Sequence, residues 1–282
     1  MRKRSSALYH SSGSILVFAV WVLVFFTALS LAVFGIVNAQ AKLAKNIESR
    51  IICNQLAKAA VLYYGYELDR KTDSYITTFN LKQEKKMELG LGSFIYILSD
   101  EEAKLDLNRA TSQQIAALPG MNLELADNIY GYPDKPFRAI EQVMEVEGMD
   151  EEIFEKIKDY VTVFAPGRIN INTAPKEVLK TFLQDDALVS SIEDYRNGDD
   201  GLEGTQDDKP FKDPVQIVKD LNEFTGLSAS QVSLLNQFII QGFLVTNSRV
   251  LTLNIDAQII GKSAMKYAVI MDNNAIRQWR EW

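Results

Sequence analysis

ILVFAVWVLVFFTALSLAVFGIV, residues 15–37, carries no charged side chain, and the uncharged run around it extends from Ser5 to Ala41. Coiled as a helix at about 1.5 Å per residue, it reaches roughly 35 Å, enough to cross a hydrocarbon core of about 30 Å. On its N-terminal side Arg2, Lys3 and Arg4 are the only charges. The positive-inside rule therefore keeps Met1 to Ser12 in the cytoplasm and exports the remainder of the chain beyond the helix, in a bacterium to the periplasm. A cleaved secretory signal is the competing reading, because Ala39-Gln40-Ala41 offers a small-x-small site. The apolar core of such a signal is typically about 7–15 residues, well short of this run.

On its C-terminal side the helical pattern continues. Leu43, Ile47, Ile51, Leu56, Ala59, Ala60 and Tyr63 recur at steps of three and four among Lys42, Lys45, Glu48, Arg50 and Lys58. One long helix from about Ile15 to Glu67 is predicted, its first half in lipid and its second half laying an apolar stripe on a soluble body. Cys53 falls on that stripe and is expected to pack there.

Composition closes off several chemistries. The chain has 282 residues and a net charge of −7, and from Ser14 onward it holds 27 basic against 37 acidic residues. Such a balance disfavours polyanionic partners, nucleic acid among them. The single histidine, His10, lies ahead of the apolar run, and Cys53 is the single cysteine. Histidine-assisted hydrolysis, a CxxC metal or redox pair and an intramolecular disulfide are all excluded in the body of the chain.

Beyond the long helix, Asp69 to Gly90 is polar and mixed. GSFIYIL (92–98), SDEEAK (99–104) and LDLN (105–108) then read as two short strands joined by a polar turn. From Leu105 to about Gln241 the pattern is one of short helices of about 10 residues, punctuated by glycine and proline. An internal repeat runs through it. LDLNRATSQQIAAL (105–118) aligns with ININTAPKEVLKTF (169–182), pairing Asn108 with Asn172 and Ala110 with Ala174, and KPFRAIEQV (135–143) matches KPFKDPVQI (209–217). Thr111 and Thr173 occupy the predicted helix-cap positions.

AALPGMNLELADNI and MEVEGMDEEIFEKI have the outline of helix-hairpin-helix units. DNA-binding versions use Gly-x-Gly, so that bare backbone N–H groups approach a phosphate. Here the turns are Gly120-Met121-Asn122 and Gly148-Met149-Asp150, crowded by Glu124, Asp127, Glu147, Glu151 and Glu152. The hairpins are read as packing modules. After Gln241 the chain alternates like β-structure (FLVTN, RVLTLNIDAQII, KSAMKYAVIMD), an antiparallel meander able to pair with the strand near residue 95. The helical block would then be inserted into a sheet.

The order of parts at the N-terminus resembles a class III prepilin signal: a short basic leader, Gly13, then Ser14 opening an uncharged helix. That resemblance implies cleavage after Gly13 by prepilin peptidase, with methylation expected of the processed subunit. The fifth residue of the mature chain, glutamate in most pilins and pseudopilins, is Phe18 here. An unpaired intramembrane carboxylate is expensive, so a subunit with no neighbour above it gains by lacking one.

With the Trp-containing apolar helix, Phe18, DEEAKLDLNRA, INTAPKEVL, an acidic segment and closing strands, the chain resembles the minor pseudopilin K family of type II secretion systems. The resemblance implies an α+β fold: a long transmembrane helix, a pseudopilin-like antiparallel sheet and a large inserted helical domain of helix-hairpin-helix-like repeats. It divides the chain into a leader (1–13), a transmembrane helix (14–37), a periplasmic helix with the first part of the pseudopilin domain (38–104), the insertion (105–242) and closing strands (243–282). It further implies a non-enzymatic protein-export subunit of the inner membrane, its body in the periplasm. That subunit would sit at the pseudopilus tip with minor pseudopilins I and J and without nucleic acid.

The acidic segment Glu193 to Asp213 is the candidate metal site. Asp199, Asp200, Glu203, Asp207 and Asp208 crowd a stretch that also holds Gly198, Gly201 and Gly204. Calcium takes such flexible, oxygen-rich loops, although no EF-hand register is present. A solvated acidic loop is the alternative, and the family resemblance favours calcium. Two other functions compete with a structural subunit: a membrane-anchored DNA-binding protein of the competence type, and a tethered hydrolase using Asp199 and Asp207.

Overall fold

The uncharged run and the stripe beyond it form one helix, α1 (Ser12–Asp69). The computed structural model describes residues 12–70, 74–90, 92–259 and 262–281. Two compact units are distinguished, one ending at Ile52 and the other beginning at Cys53. In the first, Ile15, Phe18, Trp21, Phe25 and Phe34 all stand open along a helix apolar enough to cross a membrane.

In the second unit the end of α1 turns one face inward. Cys53, Leu56, Ala57, Ala60, Val61 and Tyr64 are buried at the three- and four-residue spacing of a single stripe. Cys53 Sγ reaches the Ala257 carbonyl at 3.9 Å, and the rings of Tyr63 and Tyr64 meet Phe94 and Tyr96. The polar stretch after α1 folds into α2 (Thr78–Lys82), started by a Thr77–Asn80 capping box, and the edge strand β1 (Lys85–Leu89). Next comes β2 (Gly92–Asp100).

The chain then leaves the sheet. A single 3-10 turn (Glu101–Ala103) leads to β3 (Leu105–Asp106), α3 (Ser112–Ala116) and α4 (Leu123–Tyr130). A second 3-10 turn (Ile140–Glu145), α5 (Glu151–Ile157) and β4 (Val161–Thr162) complete a first half. The second half comprises β5 (Ile169–Asn170), α6 (Lys176–Leu183), α7 (Asp186–Arg196), α8 (Ile217–Thr225), α9 (Ala229–Ile240) and β6 (Leu244–Val245). Three long strands close the chain: β7 (Val250–Ile259), β8 (Lys262–Asp272) and β9 (Ala275–Glu281). The main sheet is antiparallel in the order β1-β2-β7-β8-β9. Because β2 and β7 are neighbours, with Asp100 opposite Leu251, everything between them is an insertion at one end of the sheet.

The sequence repeat is a structural repeat. In the first half β3 pairs in parallel with β4, and in the second β5 pairs in parallel with β6. Each half is closed by one asparagine at the same place. Asn108 donates to the Phe137 and Val163 carbonyls (3.0 and 3.2 Å) and accepts from the Phe137 amide at 2.7 Å. Asn172 donates to the Phe211 and Thr246 carbonyls (2.9 and 3.2 Å) and accepts from the Phe211 amide at 2.8 Å. One amide side chain thus ties the strand to the Lys-Pro-Phe turn and to the returning strand, using donor and acceptor together. Leu105, Ile115, Ile129 and Ile157 from the first half share a continuous core with Ile169, Leu179, Phe211 and Leu235 from the second.

Three expectations are corrected. LDLN does not extend the main sheet; only Leu105 and Asp106 are strand, and they pair with β4. Several inserted helices, among them the five-residue α3, fall short of ten residues, because proline, glycine and new caps arrive sooner. Thr111 caps α3 in a capping box with Gln114, but Thr173 caps nothing. Helix α6 starts after Pro175, and the Thr173 hydroxyl instead donates to Asp100 at 2.6 Å.

Candidate functional site

The turn read as polar, SDEEAK, is the most deeply buried group of charges among the described residues. Asp100, Glu101 and Glu102 are 4, 5 and 0% exposed. Asp100 Oδ2 accepts from Asn170 (3.0 Å), Thr173 (2.6 Å) and Ser248 (2.6 Å), while its Oδ1 accepts from the Glu102 amide at 2.8 Å. Glu101 accepts from the hydroxyls of Thr162 and Thr252 and pairs with Lys104 at 3.3 Å. Glu102 accepts a forked pair from Arg168 and the amides of Arg249 (2.9 Å) and Val250 (3.2 Å).

Three consecutive acids therefore grip the first half of the insertion, the second half and the strand that returns to the sheet. Burial pushes the Asp100 carboxyl up to about 6, against the pull of the Ser248 and Thr173 hydroxyls. At neutral pH it is ionised and its four donors are matched. The arrangement is a structural junction in which each carboxylate is engaged. Sequence reasoning passed over it; the signal open to it was a run of three acids at the end of an apolar strand, in a chain whose repeat supplies Asn170 and Thr173.

The five acids of the predicted metal site are brought into one loop, but not around one point. Asp207 Oδ2 accepts from the amides of Asp199 (2.9 Å) and Asp200 (3.1 Å), and its Oδ1 from the Thr205 hydroxyl at 2.7 Å. Asp208 caps the amides of Gly204 and Thr205, and Asp200 that of Leu202. Asp199 pairs with Lys209 at 2.6 Å. Glu203 accepts from Thr78 (2.8 Å) and meets buried Arg196 at 3.4 Å. Arg196 also donates to the Ile171 and Ala174 carbonyls, fastening the loop's stem to the repeat.

Gly198 permits the closure, since a Cβ there would lie 2.4 Å from the Asp207 carbonyl oxygen. The oxygens are of the kind calcium takes, but they are spent on amides and cations. Among the described residues no group of three or more His, Cys, Asp or Glu side chains is arranged to hold a metal. The Thr205 hydroxyl and the loop amides hold the Asp207 carboxyl down to about 2.

The hairpins have the expected shape, with a side-chain cap at each helix start. Gly120 and Gly148 take positive φ, +76° and +88°, in the turns before α4 and α5. Asn122 and Asp150, standing where a DNA-binding hairpin has its second glycine, accept from the amides of Leu125 and Ile153, both at 2.8 Å. One of the free amides at each helix start, that of the third residue, therefore already has an oxygen. Lys156 packs over Gly120, but its amine is held by Glu152 at 2.6 Å.

At the N-terminus, Gly13 and Ser14 lie in the first turn of α1, and Phe18 is 71% exposed on it. Arg2, Lys3, Arg4 and His10 lie outside the described residues. Among the described residues one helix is long and apolar enough to cross a membrane.

Comparison with known proteins bears on these features. A helix-hairpin-helix motif model matches residues 100–162, the span from the buried acids through β4. No curated protein sequence matches the chain. Among solved structures, a chain of the crystal structure of the GspK-GspI-GspJ complex from the enterotoxigenic Escherichia coli type 2 secretion system is similar. The match covers 81% of this chain and 98% of that one, with a TM-score of 0.54 and 15% sequence identity. Taken with the apolar N-terminal helix and the helical insertion between adjacent strands, that likeness gives the chain the fold of a GspK-like pseudopilin.

Proposed function

We propose that the chain is a minor pseudopilin at the tip of a type II secretion pseudopilus, a structural and non-catalytic component of protein export. The observation that carries this reading is the insertion. A bulky two-part helical body leaves and re-enters the sheet between β2 and β7. Such a body would collide with its own copies along a tight filament, so it is used once, at an end. Phe18 fits that place, since the end subunit has no neighbour whose N-terminal amine a glutamate would meet. The resemblance supplies the rest: cleavage after Gly13 by prepilin peptidase, α1 retained in the inner membrane, the body in the periplasm, and partners corresponding to the I and J subunits. Intact-mass measurement of the membrane-extracted protein tests the processing. A mature chain beginning at Ser14 supports the reading, and one beginning at Lys42 replaces it with ordinary secretion.

Calcium belongs to the same proposal. Binding at Asp199, Asp200, Glu203, Asp207 and Asp208 would require these carboxylates to turn from the amides and cations they now meet. A calcium-loaded loop would therefore melt higher than a chelated one, and identical melting curves in calcium and in chelator remove the ion from the account.

A further inference from the structure

A cleft of about 600 Å³ opens where the end of α1, β2 and the return from the insertion come together, within the range of about 300–1,000 Å³ typical of ligand sites. One wall is aromatic, presented by half-buried Tyr63 and exposed Tyr66 and backed by buried Tyr64 and Tyr96. The polar lining sets Arg70, Lys85, Arg168 and Arg249 against a single carboxylate, Glu67. In a chain with 27 basic and 37 acidic residues after the leader, four cations to one acid is a local reversal of sign.

The one acid is already engaged. Glu67 accepts the Tyr96 hydroxyl at 2.6 Å and has Lys85 at 3.9 Å. Arg168 and Arg249 are braced from behind by Glu102 and by Asp272 (3.3 Å), yet remain 30 and 47% exposed. Arg70 lies over the Tyr66 ring at 5.3 Å. Tyrosine and arginine dominate the energetics of protein interfaces, because they offer large contact area and directed donors. A second cleft, of about 340 Å³, shares Arg249 and adds Arg109 and Arg277, but there Asp106 and Asp272 pair with the arginines, so the excess of positive charge belongs to the first cleft.

We propose that this cleft binds an extended acidic segment of a partner protein, with its carboxylates on Arg70, Lys85 and Arg249 and an apolar side chain against the tyrosine wall. The proposal stands on the cleft alone and does not depend on the assembly reading. The test uses the full chain in detergent micelles and a fluorescein-labelled decapeptide of Glu and Leu, with a Lys-for-Glu version as control, read by anisotropy.

The Glu peptide is expected to bind saturably and to weaken roughly fivefold or more between about 50 and 300 mM salt, as screened charge pairs do. The Lys peptide is expected not to bind. Arg70→Gln/Lys85→Gln, and separately Arg249→Gln, are expected to weaken binding roughly fivefold or more, whereas Lys219→Gln on α8 leaves it unchanged. Equal binding of the two peptides, wild-type binding by both cleft variants, no saturable binding, or displacement by an equal concentration of free glutamate would each overturn the proposal.

Discussion

Replacing Asn172 by alanine deletes three hydrogen bonds at once. The Phe211 amide loses its acceptor, and the Phe211 and Thr246 carbonyls lose a shared donor. Asn172 is 4% exposed, so water cannot take its place. The Thr246 carbonyl keeps the Ile76 amide at 3.0 Å; the two Phe211 groups are left unmatched at about 1–3 kcal/mol each, and a total of about 2–4 kcal/mol is expected once relaxation is allowed. Asn108 makes the equivalent three bonds in the other half of the repeat but is only half-buried. Solvent can reach its vacated partners, and about 1–2 kcal/mol is expected. For a body of this size about 1 kcal/mol moves the midpoint by roughly 2–4 °C. Asn172→Ala should therefore lower Tm by roughly 10 °C and Asn108→Ala by roughly 4 °C, followed by near-UV circular dichroism on the full chain in detergent. Equal shifts, or a larger loss at Asn108, would refute the argument that burial sets the worth of two otherwise identical staples.

Asp100 binds a proton more tightly folded than unfolded, because burial raises its carboxyl from 3.8 to about 6. Its contribution is therefore full below the unfolded value and declines by up to roughly 3 kcal/mol as pH rises from about 4 to about 6. The Tm–pH profile of wild type should carry that downward slope relative to Asp100→Asn, and parallel profiles would contradict it. At Gly92 an added Cβ would stand 2.5 Å from the Gln258 carbonyl oxygen and 2.7 Å from Leu56, between the sheet and α1. Gly92→Ala is expected to cost about 1–3 kcal/mol in urea unfolding, and an unchanged midpoint would show that the contact yields freely.

Where a pattern is one-dimensional, the sequence was readable. The three- and four-residue recurrence from Leu43 to Tyr63 placed α1 as a helix, though Leu43, Ile47 and Ile51 of that stripe stand open and burial begins at Cys53; alternation placed β2 and the closing meander that completes its sheet. The repeat of LDLN in ININ foretold two similar halves, because the asparagine at the fourth place serves the same staple in each. What escaped depends on three-dimensional company. Asp100, Glu101 and Glu102 look like a solvated turn until Asn170, Thr173, Ser248 and Thr252 are known to surround them, and those partners lie 70 to 151 residues away. Thr173 was drawn from its capping place by the same cluster. The acidic loop shows the reverse case: its composition was plain, but only the fold reveals that its carboxylates are turned to Lys209, Arg196 and the loop's own amides.

The most direct measurement of the central claim is the stoichiometry of the chain co-expressed with the I-type and J-type pseudopilins proposed as its partners, read by native mass spectrometry from detergent. A complex holding one copy of this chain together with the two partners is predicted. Recovery of the chain alone, or of several copies in one complex, would contradict the proposed use as a single terminal cap.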